Sequence, residues 1–195
     1  MVIPAPLSTS AGFDNLVHYA VLGFTAYFES TFDPQTFLDI LVRERITCFA
    51  AAPLFFERIA ALPSFDTADL SAMRCATTGG ASVTRALQDR WAEKGVVLRQ
   101  IYGQTEASPV ITMNAPTDTF EQRTSTIGCA FPNVEVKIVD PSGATVPRGE
   151  LGELCSRGYH VMPGYDQEPE ATSRAIDADG WLHTGDLAVM REDGW

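Results

Sequence analysis

Between Asp33 and Glu106, short apolar runs alternate with segments of helical periodicity, and this alternation constrains the fold more than any other feature. Residues 46–51, 73–77 and 96–98 are short and mainly apolar, as buried strands are. Helix signals separate them. Asp33-Pro34 places an acceptor at the N-cap and a proline at the first helical position. Phe37, Leu38, Leu41 and Val42 then recur on one helical face. Pro53 opens a second helix carrying Leu54, Phe55, Ile59 and Leu62, and Ser82 is suited to cap a third with Val83, Leu87 and Trp91 four apart. Gly95 closes that helix in the left-handed position. Upstream, residues 13–22 read as a helix and 24–28 as a strand. Strands that alternate with helices build βαβ units and a mainly parallel sheet.

After Pro116 the pattern changes. Val134, Val136 and Ile138 alternate with Glu135 and Lys137, as in a half-buried strand. Turns follow at 140–143 and 147–150, another strand at 151–157, and Gly158, Pro163-Gly164 and Asp179-Gly180 punctuate the rest. The expected architecture is therefore α/β. A parallel βα layer occupies residues 1–115, and a small antiparallel, barrel-like subdomain occupies 116–195, with the boundary near 115–126.

Charge and cysteine usage narrow the function. A net charge of −11 without a basic stripe argues against nucleic acid and against an anionic membrane surface. The longest uncharged stretch near the N-terminus, residues 15–28, is too short to span a bilayer and contains polar residues. Cys48, Cys75, Cys129 and Cys155 are scattered, and with His18, His160 and His183 they show no metal-ligand spacing, so a zinc site is not expected. Free thiols fit a reduced, cytoplasmic protein.

Three loops hold the candidate chemistry. Thr78-Gly79-Gly80-Ala81 follows one expected strand; it suits a tight turn before a helix, or a flat base lying on bare backbone. Residues 101–106, Ile-Tyr-Gly-Gln-Thr-Glu, follow the next strand. They offer a ring, a glycine, a hydroxyl and a carboxylate, which fit either an ordinary strand-to-loop turn or a nucleotide with its Mg2+. Consecutive parallel strands put both loops on the same sheet edge, where ligands bind in such folds. In the third loop, residues 181–187, Asp186 is either a turn aspartate or an acceptor for ribose hydroxyls, while His183 reads as structural.

Taken together these loops resemble the adenylate-forming (AMP-binding) enzymes, and among them the acyl-CoA synthetases. The resemblance rests on Thr78-Gly79-Gly80-Ala81, on Tyr102-Gly103-Gln104-Thr105-Glu106, and on the run from Gly149 to Asp186, with its Gly149-Glu150-Leu151-Gly152-Glu153-Leu154, Arg157-Gly158, Pro163-Gly164-Tyr165 and Asp179-Gly180-Trp181-Leu182-His183-Thr184-Gly185-Asp186. It implies activation of a carboxylic acid, such as a fatty acid, with ATP and Mg2+, followed by acyl transfer to CoA. It further implies that Gly79, Gly80 and Ala81 line the adenine and that Tyr102, beside Gly103, stacks on it. Thr105 would contact the α-phosphate, Glu106 would hold Mg2+, and Asp186 would bind the ribose. Thr105 and Glu106 would thus be the catalytic pair. The departures are also informative. Lys94 and Lys137 are the only lysines, and neither lies in a Gly/Ser/Thr-rich phosphate loop. Residues 6–9 fall where many relatives carry a histidine, and Asp166 stands where an aromatic is usual. The chain stops at Trp195, ahead of the small C-terminal domain that carries the family's catalytic lysine. These points lead to the expectation of a central piece of an acyl-CoA synthetase, inactive alone. The alternative is a non-catalytic nucleotide-binding or interaction module derived from that family.

Overall fold

A computed structural model of the chain describes residues 1–4 and 6–195. Its larger sheet holds seven strands: β1 (Val2–Ile3), β2 (Tyr27–Phe28), β3 (Cys48–Ala51), β4 (Cys75–Gly79), β5 (Leu98–Tyr102), β6 (Thr112–Met113) and β7 (Cys129–Ala130). They lie in the order β2-β1-β3-β4-β5-β6-β7, parallel from β2 to β5 and antiparallel through β6 and β7. The smaller sheet is antiparallel, β10-β9-β8, from β8 (Val134–Val139), β9 (Leu151–Gly158) and β10 (Leu182–Val189). Its three strands form an open sheet rather than a barrel. The α/β architecture with a separate antiparallel sheet is thus the one the periodicities require.

Helices α2 (Pro34–Arg43), α3 (Pro53–Ala60) and α4 (Arg85–Ala92) form where expected, and α2 touches α3 as α3 touches α4. Asp33 caps α2 by accepting from the Thr36 amide at 2.8 Å. Phe37, Leu38 and Leu41 are buried in one cluster with Phe49, Phe56, Phe65, Trp91 and Leu98. The Trp91 ring meets Phe56 and Phe65 edge-on, each at 5.0 Å, and its indole N–H donates to the Phe56 carbonyl at 3.2 Å.

Local details differ from the sequence reading. The cap of α4 is Thr84, whose hydroxyl accepts from the Leu87 amide at 3.2 Å, so Ser82 and Val83 precede the helix. Val83 still joins the core from the loop. Leu54 is exposed on α3, because only one stripe of an eight-residue helix can face the sheet. The first helix, α1 (Ser10–Leu22), begins three residues early because the Thr9 hydroxyl accepts from the Gly12 amide. The strand expected over 24–28 shrinks to β2, and Val97 stays exposed ahead of β5. The change of sheet falls later than the change of pattern at Pro116, since β7 still pairs with β6. Two-residue strands carry no periodicity to read. Short helices α5 (Phe120–Ser125) and α6 (Pro169–Ala175) complete the fold. Among the described residues no helix is long and apolar enough to cross a membrane.

Candidate nucleotide-binding site

Parallel pairing of β4 with β5 sets Gly79 beside Ile101, so the loops after both strands emerge together. Gly79 sits so close to β5 that a Cβ there would lie 2.6 Å from the Ile101 carbonyl oxygen. At Gly103 the chain folds back on itself, and a Cβ would meet the Pro109 carbonyl oxygen at 2.0 Å. The close approach that this glycine permits is therefore one between two stretches of the protein's own backbone. The turn continues through a 3-10 segment, Thr105–Ala107, ending at Ser108 in the left-handed region (φ 46°).

The smaller sheet supplies the opposite wall. Pairing of β10 with β9 is interrupted between His183 and Leu187. Within that bulge Gly185 has a φ of 76°, the Thr184 hydroxyl donates to the Leu154 carbonyl at 2.7 Å, and the Asp186 amide donates to the same hydroxyl at 3.2 Å. The Gly185 amide donates to Glu153 Oε1 at 2.9 Å. The bulge turns Asp186 toward β5, and the Tyr102 hydroxyl donates to its Oδ2 at 2.7 Å. Burial, followed by the adjacent Asp186 carboxylate, pushes the Tyr102 phenol up to about 12.

Between the walls lies an open cleft of about 800 Å³. Gly80, Ala81, Tyr102, Gly103 and Asp186 all line it. Gly79, Thr105 and Glu106 lie outside that lining. Thr105 instead faces Ser10, with the two hydroxyls 3.1 Å apart, and Glu106 Oε1 accepts from the Tyr165 hydroxyl at 2.9 Å. The cleft also has residues that the sequence reading did not single out: Thr124, Ser125 and Thr126 at the end of α5, and Arg191, which donates to the Ser125 hydroxyl at 3.3 Å. The two lysines are elsewhere. Lys94 donates to the Asp66 carbonyl, and Lys137 stacks on Trp181 at 4.3 Å.

The model of the AMP-binding enzyme family matches residues 1–166. The chain belongs to this family of adenylate-forming enzymes. Its relatives include a putative acyl-CoA synthetase, YngI, of Bacillus subtilis, 46% identical over 169 residues, covering 84% of this chain and 30% of that protein. The medium-chain fatty-acid–CoA ligase of Escherichia coli is 35% identical over 197 residues, covering 100% of this chain and 34% of the ligase. Among solved structures, the N-terminal domain of FACL13 from Mycobacterium tuberculosis matches with a TM-score of 0.91 at 26% identity, over 99% of this chain and 48% of that one. The chain spans about a third of the length of the curated relatives it matches. Family membership thus agrees with the resemblance carried by the three loops, and the relatives are acyl-CoA ligases by name.

Proposed function

We propose that the cleft between the two sheets is the nucleotide site of an AMP-forming acyl-CoA synthetase, acting on a carboxylic acid of the fatty-acid class. One observation carries the reading: the Tyr102 hydroxyl meets the Asp186 carboxylate at 2.7 Å across a cleft walled by Gly80 and Ala81. In this reading a base lies against the backbone of Gly80 and Ala81 and the Tyr102 ring, and the Asp186 carboxylate accepts from the ribose hydroxyls. Thr105 follows the cleft residues Tyr102 and Gly103 in the chain, and we assign it to the α-phosphate. The Thr105 hydroxyl donates to a phosphate oxygen and orients it for the acid.

In the first half-reaction a carboxylate oxygen of the acid attacks the α-phosphorus, and the bond to pyrophosphate breaks. In the second, the CoA thiol attacks the acyl carbon and AMP leaves. The relatives' names support CoA as acceptor. Glu106 suits Mg2+: its carboxylate is half-buried, only Oε1 is engaged by Tyr165, and no ion pair neutralises it among the described residues. Mg2+ bound there would offset charge on the phosphates.

Calorimetric titration of AMP tests the site. Asp186→Ala should weaken binding by about tenfold or more, equivalent to about 1.4 kcal/mol. Equal affinity of wild type and variant would remove Asp186, and with it this cleft, from the nucleotide site.

A further inference from the structure

Sequence spacing gave no zinc pattern, yet the pairing of β9 with β10 assembles one on the smaller sheet. Cys155 and His183 are register partners, and Glu153 lies two residues before Cys155 on the same face of β9. Leu154 points the other way, into the cleft. The carboxylate, thiol and imidazole atoms all lie within 4.8 Å of one another.

We propose that Glu153, Cys155 and His183 form a binding site for a soft divalent cation, Zn2+ above all, on the face of the sheet turned away from the nucleotide cleft. The geometry is close to what zinc needs. His183 Nδ1 is 3.5 Å from Cys155 Sγ, and a tetrahedral ion with ordinary zinc bonds sets a sulfur and a nitrogen about 3.5 Å apart. Glu153 Oε2 is 2.8 Å from the same Nδ1 and must retreat by about half an ångström to become a third ligand. Water completes the shell, entering past His183 and Glu153, whose side chains are 28% and 30% exposed.

Groups suited to support two of the ligands lie close by. A zinc-bound histidine commonly offers its second nitrogen to a carboxylate, and a ligating carboxylate is itself hydrogen-bonded. Asp177 Oδ2 lies 3.8 Å from His183 Nε2, and the Gly185 amide donates to Glu153 Oε1, leaving Oε2 for the metal. Without metal, the Nδ1 proton serves the Glu153 carboxylate. On binding, that proton moves to Nε2, facing Asp177. The Cys155 thiol releases its proton to solvent as the sulfur–zinc bond forms, and nothing is oxidised or reduced. Lys137, the register partner of Cys155 on β8, is the nearby opposing charge. Two carboxylates and a thiolate outweigh it.

The test is titration of the metal-free 195-residue chain with Zn2+ against a chromophoric chelator, repeated with Co2+ to read the thiolate-to-cobalt absorption. One ion per chain is expected. Cys155→Ser should abolish the thiolate band, and His183→Gln and Asp177→Asn should weaken binding by about tenfold or more. Cys129→Ser, which removes an exposed thiol, should change nothing. Retention of the cobalt–thiolate band in Cys155→Ser, or wild-type affinity in His183→Gln, overturns the proposal. If the buried Cys155→Ser change impairs folding, the two half-exposed variants decide the matter alone. No nucleotide is present, so the outcome is independent of the adenylate reading.

Discussion

Gly103 lines the cleft, yet its lack of a side chain serves the protein's own backbone. Its place between Tyr102 and Thr105 suggests room for a nucleotide, but the space it frees is filled by Pro109. Gly103→Ala should therefore lower stability by roughly 1–3 kcal/mol, as other overpacked sites do, and urea denaturation measures it. A second prediction concerns Tyr102. Its phenol ionises at about 12 in the fold against 10.0 unperturbed. The fold thus favours the protonated form, and that contribution is whole below about pH 10 and is lost as pH rises toward about 12. Denaturation midpoints of the wild type should fall over that window more steeply than those of Tyr102→Phe, which has no proton to lose.

At the level of elements, caps and stripes decide where helices start and what they bury. Asp33 accepts from both the amide and the hydroxyl of Thr36, each at 2.8 Å, and these bonds hold its carboxyl below the usual range. Asp33→Ala should cost about 1 kcal/mol and Asp33→Asn much less, again by urea denaturation. These boundaries were legible only in part. Asp33-Pro34 announces α2 because its cap and first residue are adjacent in sequence. Ser82 was as good a cap on paper as Thr84, and only the direction in which the chain leaves β4 selects between them. The α5 capping box, Thr119 with Gln122, is likewise in the sequence, but no apolar stripe follows to draw attention to it.

Across the whole molecule, the proposed adenylation depends on which charges the fold brings to the cleft. Arg191 lines it, whereas Lys94 and Lys137 are held elsewhere. Displacement at an α-phosphate needs positioned cations and donors, and loss of one donor can cost on the order of 10²–10³ in rate. Contacts to base and ribose act alike on ground and transition states. The 195-residue polypeptide is therefore expected to bind AMP without sustained turnover. Pyrophosphate release with Mg-ATP and a panel of short, medium and long fatty acids is the measurement, and acid-dependent release at a rate typical of such ligases would contradict it.

The α/β alternation and the switch to short antiparallel strands were readable in one dimension, because side-chain period follows directly from backbone geometry. Tyr102 and Asp186 were named as chemistry-bearing residues from their local patterns. The resemblance implies that both serve one nucleotide, but their local patterns do not show that they meet, since 84 residues separate them and the bulge at Gly185 that turns Asp186 inward exists only once β10 pairs with β9. The same pairing joins Cys155 to His183 across 28 residues. Spacing rules see ligands that lie close along the chain, whereas a sheet brings together residues that are far apart in it. The tertiary fold therefore determined both the carboxylate in the cleft and the thiol–imidazole pair behind it.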